Sequence, residues 1–84
     1  MTELKDTVEL MTSEDYKERF KAEFWQVKIR LEKLHKMLIK QEAGTLSFML
    51  KTPAPYLQMQ RDYMRQYLEM LEVRAELEGI DLDN

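Results

Sequence analysis

The sequence predicts an all-α fold: a short N-terminal helix plus a long antiparallel helical hairpin, assembled as a homo-oligomeric bundle. Three observations predict it. Two long stretches repeat apolar residues at alternating steps of three and four. Only two glycines and two prolines interrupt 84 residues. The second stretch is apolar on two nearly opposite sides, more than one hairpin partner can cover.

Taken in order, residues 1–11 carry Leu4 and Val8 and form a short helix or arm. Thr12 or Ser13 is the expected cap of a first long helix over 13–43. Glu14 and Asp15 then sit at the positive end of its dipole, and Gly44 is its stop. Phe20, Phe24, Val27, Leu31, Leu34 and Leu38 form its heptad seam. Trp25, Ile29, Met37 and Ile39 fall off that seam, which implies more than one neighbour. The 44–54 loop, running through GTLSFMLKTPAP, has too many prolines and small residues for a third long helix. The second long helix spans 55–78, with Pro55 in its first turn and Gly79 after its end, leaving a 79–84 tail. One of its seams is Leu57, Met64, Leu68, Leu71 and Ala75, which faces the first helix. The other is Tyr56, Met59, Tyr63, Met70, Val73 and Leu77, the expected oligomer interface unless residues 1–11 or 45–52 fold back over it. Acidic Asp62, Glu69, Glu72 and Glu76, with Arg65, flank it on one side, and Gln60 and Arg74 on the other. Residues 1–84 thus read as a single helical domain.

A chain this short has a small core of its own and, with no cysteine, no disulfide to brace it, so association is the obvious further source of burial. The opening MTELKDTVEL is not a basic, then apolar leader, and no run of about 18 apolar residues occurs. A cytoplasmic protein without a membrane partner is expected. Net charge is −3, unevenly spread: −4 over residues 1–15, +5 over 16–41, +1 over 42–68 and −5 over 69–84. A basic helix between acidic ends can attract a small phosphate-bearing ligand while repelling a long polyanion, so no long nucleic acid is expected as partner.

The residues give catalysis little to work with. Glu32 and His35 form a Glu-x-x-His on a helix, but they flank the Leu31/Leu34 seam, and His35 is the one histidine. Ser13 and Ser47 lack a base motif, and neither glycine has a second nearby to cradle a phosphate. No catalytic residue, metal or cofactor is expected. LEVRAELEGI has a passing likeness to one stretch of the chorismate mutases, without the rest of their arginine spacing. Binding has more support. Tyr16, Arg19 and Phe20 lie one turn apart, and Lys33, Lys36 and Lys40 share a face further along. Aromatic faces stack on bases while cationic groups neutralise phosphate.

YKERFKAEFWQVKIRLEKLHKMLI, followed after the loop by LQMQRDYMRQYLEMLEVRAELEGI, resembles the small helical phage proteins related to a crAss-like phage product. That group includes the anti-CBASS cyclic-nucleotide sponges. Tyr16, Arg19, Phe20, Glu23 and the Leu31/Leu34 seam carry the likeness, with Gln60, Met64, Tyr67, Leu68, Leu71 and Arg74 in the second helix. It covers residues 16–80. The resemblance implies a compact homo-oligomer, a hexamer being one form, that acts in the infected bacterial cell. It would bind cyclic di- or trinucleotides between protomers and withhold them from immune effectors without turnover. Tyr16 matches the family's N-terminal aromatic position, and the phosphate-contacting lysine is one of Lys28, Lys33 and Lys36. The loop TLSFMLKTPAP matches nothing assignable. The alternative is an oligomeric helical adaptor that binds and inhibits a host protein through its Met and Tyr stripe.

Overall fold

The computed structural model describes residues 3–83; the first two residues of the expected arm and Asn84 of the tail lie outside it. A 3-10 turn, Leu4–Thr7, runs into the one-turn helix α1 (Val8–Met11). Two long helices follow, α2 (Tyr16–Ala43) and α3 (Ala54–Glu78), packed as an antiparallel hairpin. The described part measures 43 × 24 × 18 Å, and its long dimension is essentially the length of α2, since 28 residues rise about 42 Å.

The helix ends follow local chemistry. Asp15, and not Thr12 or Ser13, caps α2: its carboxylate accepts from the Lys17 amide at 2.9 Å. The two earlier candidates are spent elsewhere. The Thr12 hydroxyl donates back to the carbonyls of Val8 and Glu9 and closes α1, and Ser13 Oγ accepts from the Asp15 amide at 3.1 Å. The first long helix therefore starts at residue 16 instead of 13. At its far end Gly44 adopts φ 76°, the Gly44 amide bonds Gln41 and the Thr45 amide bonds Lys40 at 2.8 Å, a doubly closed left-handed cap. α3 is entered through Pro53 at its N-cap, one residue earlier than expected, because Ala54 and Pro55 both fit a first turn whose amides have no helical acceptor. Gly79, with φ 69°, ends it; the Ile80 amide bonds the Ala75 carbonyl at 2.9 Å and turns the Ile80 side chain back onto the core.

The core lies at the open end of the hairpin, away from the loop. Phe20, Phe24 and Leu31 from α2 meet Leu68, Leu71 and Ala75 from α3, closed over by Ile80, with Trp25, Val27, Met64 and Leu82 packed against them. The off-seam residues of α2 find separate neighbours. Trp25 donates its indole N–H to the Leu82 carbonyl at 3.0 Å, fastening the tail. Ile29 and Ala22 are buried on the face where Gln26 bonds the buried Thr7 at 3.1 Å, the face that the N-terminal arm covers. Met37 lies under Leu46 and Phe48 of the loop, and Ile39 stays exposed. The arm packs on α2 and not on α3, so the second seam of α3 is left open along its whole length.

Candidate functional site

Two clusters of polar and aromatic side chains stand out, one at each end of the hairpin. Near the loop, Lys33, Lys36 and Lys40 lie three and four residues apart, on the side of α2 that faces away from α3. Leu46 and Phe48 of the loop lie beside them, so the lysines rim a cleft of about 310 Å³ floored by Met37, Leu46 and Phe48. All three lysines and the Phe48 ring are exposed. An apolar floor with a cationic rim is the arrangement that holds a flat heterocycle and its phosphate together. A larger cleft, about 400 Å³, opens on the other side of the same loop between Gln41 and Ala54. No charged side chain lines it, so it offers a phosphate nothing.

At the open end, Tyr16 heads α2 next to the last turns of α3. Its hydroxyl donates to Glu78 Oε1 at 2.8 Å and accepts from Arg74 Nη2 at 2.8 Å, while Arg74 Nε donates to Glu78 Oε2 at 3.2 Å. The guanidinium carbon sits 5.0 Å above the Phe20 ring. The hydrogen bond to Glu78 is the main cause that raises the Tyr16 phenol above its ordinary value. Two turns inward the Tyr67 hydroxyl donates to Glu23, which raises that phenol too.

The residues expected at a ligand site are thus dispersed. Lys33 and Lys36 share the loop-end cleft. Tyr16 is roughly 25 Å from Lys33 along α2, too far for both to hold one small ligand within a single chain. Phe20 is 3% exposed and belongs to the core, because its seam position outweighs its place beside Tyr16. Arg19 folds back, donating from Nη1 to the Ser13 carbonyl at 2.8 Å. Lys28 lies over aromatic rings, 4.8 Å from the Trp25 centroid and 5.8 Å from that of Phe24. Tyr56, Met59, Tyr63, Met70, Val73 and Leu77 all stand exposed. Sequence reasoning passed over Met37, Leu46 and Phe48 as a floor; the apolar run LSFML beside a lysine-bearing helix was the available signal. It also missed the union of Tyr16 with Glu78, for which nothing local exists, since 62 residues separate them.

The sequence model of the Sequestin family matches residues 14–77, spanning both long helices and the loop. The chain belongs to the Sequestin family. This is the phage family to which the resemblance in the two helices pointed, and membership carries a nucleotide-sequestering, anti-defence role in general. No curated protein and no solved structure matches the chain. The match takes in all of Lys33, Lys36, Lys40 and Phe48, and the Tyr16–Arg74 pair, but ends one residue before Glu78. Among the described residues no group of three His, Cys, Asp or Glu side chains is placed to hold a metal ion. Glu32 is exposed and the buried Nδ1 of His35 has no hydrogen-bond partner among the described residues. Among the described residues no helix is long and apolar enough to cross a membrane.

Proposed function

We propose that the chain sequesters cyclic di- or trinucleotide messengers in clefts completed by a second copy. The observation that carries this reading is the lysine-rimmed cleft at the loop end, in a member of the Sequestin family. Three cations within two helical turns match a ligand with more than one phosphate, and Phe48 and Met37 match its bases. At about 310 Å³ the cleft is at the lower limit of small-molecule sites, and its rim is solvent-exposed. It holds part of a cyclic dinucleotide and leaves the rest for another subunit to cover. Sequestration needs tight binding and abundance, and a site preorganised by packing supplies the first.

Titration calorimetry of the nucleotide-free protein against cyclic di- and trinucleotides, with mononucleotides as controls, tests the reading. The expected result is binding well below a Kd of about 10 μM, which corresponds to about −7 kcal/mol. Lys33→Glu and Lys36→Glu should each weaken it at least about tenfold, since each replaces an attraction to phosphate by a repulsion. Binding that ignores both substitutions removes the cleft from the mechanism, and no binding to any of the compounds removes the proposed ligand class. A second reading rests on the exposed Tyr and Met stripe of α3, which is also the kind of surface that seats in a groove of a host protein. Under that reading a tagged chain retrieves a stoichiometric protein from bacterial lysate, and Met70→Glu abolishes the capture.

A further inference from the structure

The outer face of α3 is more regular than its apolar residues alone suggest. Tyr56, Met59, Tyr63, Gln66, Met70, Val73 and Leu77 follow one another at steps of three, four, three, four, three and four, and all seven are exposed. This is an unbroken a/d seam over three heptads, with a single polar residue, Gln66, at a d position. Assigning Tyr56, Tyr63, Met70 and Leu77 to a places Asp62, Glu69 and Glu76 at g, and Gln60, Tyr67 and Arg74 at e.

Those flanks decide how a second α3 can lie on the first. In an antiparallel pair each g edge meets the other g edge, so Asp62 would face Glu76 and Glu69 would face its own copy, all of one sign. In a parallel pair a g residue meets the e residue five positions on in the other chain. Glu69 then faces Arg74, and Asp62 faces Tyr67, which is uncharged and whose hydroxyl is already given to Glu23, so no like-charged pair is formed. Glu69 and Glu76 have no ion-pair partner among the described residues. Arg74 uses only two of its five N–H groups on Glu78 and Tyr16.

We infer that two copies associate through α3 in parallel, about a two-fold axis running along the helix pair, with Gln66 on Gln66 and Glu69 of each chain on Arg74 of the other. The seam lies on the opposite side of α3 from the α2 contact, so the hairpins flank the pair without competing for it. The inference deepens the proposed function, which requires an assembly, but does not depend on which nucleotide is bound.

The chain has no native cysteine, which makes the orientation directly readable. Met59→Cys and Leu77→Cys mark seam positions about 27 Å apart, and Gln58→Cys marks an exposed position off the seam. Under mild oxidation, without nucleotide, each seam variant should form disulfide-linked dimers with itself, and Gln58→Cys should form few. Glu69→Arg or Arg74→Glu should each weaken association by about threefold to tenfold in sedimentation, with the double charge swap restoring it. Cross-links appearing only when the Met59→Cys and Leu77→Cys proteins are mixed would establish the antiparallel pair and overturn the inference. So would a wild-type chain that sediments as a monomer up to about 100 μM, or seam variants no more reactive than Gln58→Cys. A parallel dimer that binds no nucleotide would leave this inference standing and remove the proposed function.

Discussion

The two faces of α3 are built from similar residues at the same heptad spacing, yet Leu71 is fully buried while Leu77, six residues on, is 81% exposed. The inner face is held by Phe20, Phe24 and Leu31 and sealed by Ile80. Nothing in the described chain reaches the outer one. The contrast shows that a heptad seam reports a demand for burial and leaves open whether the same chain or another one meets it.

The largest expected effect comes from breaking the inner face. Leu71→Ala should cost about 2–5 kcal/mol in denaturant unfolding at a dilution where the chain is monomeric, because it leaves a cavity that close-packed neighbours cannot fill. Leu77→Gln at the same dilution should stay within about 0.5 kcal/mol. Equal losses would show that the outer face is packed by its own chain. Next in size is Gly79→Ala. No atom lies within 4 Å of where its Cβ would sit, so the whole cost, about 1–2 kcal/mol, comes from φ 69°. That cost should appear in the same unfolding curves with an unchanged m-value.

The cap at Asp15 should matter slightly less. Asp15→Ala should destabilise by about 1 kcal/mol, whereas Ser13→Ala should cost less than half of that, and the reverse order would move the start of α2. The smallest effect concerns the flank between the faces. The hydrogen bond to Glu23, followed by partial burial and the charge of Glu23, raises the Tyr67 phenol. A phenol raised in the folded state favours folding below its unfolded value of about 10 and loses that contribution as pH rises through the higher folded value. Stability of the parent should therefore fall more steeply above about pH 10 than that of Tyr67→Phe, measured as paired thermal melts.

Much of the architecture was legible because it is local. Helix periodicity, the two left-handed glycines and the proline entry to α3 each depend on a few neighbouring residues. The exact cap of α2 was not, since Thr12, Ser13 and Asp15 are all competent and the choice turned on which hydroxyls the preceding turn had already engaged. The tail was missed for a different reason. Ile80 and Leu82 are too few to show a period, and only the folded hairpin presents Phe24 and Trp25 for them to cover.

The candidate site divides in the same way. Lys33, Lys36 and Lys40 share a face by helical spacing alone, so their grouping could be read directly. Their floor could not, because Leu46 and Phe48 reach Met37 only after the loop has reversed at Gly44. Arg74 gave no sign that it would stand over Phe20 and bond Tyr16, 58 residues earlier.

By itself, then, the sequence determined two amphipathic helices, their punctuation and the presence of a surplus apolar seam, because each depends on short-range sterics and on the 3.6-residue turn. Only the tertiary structure decided which seam became core, where the arm, loop and tail settled, and which charged groups met. Those outcomes depend on the register between segments far apart in the chain, and a register is set by mutual packing that no single segment contains.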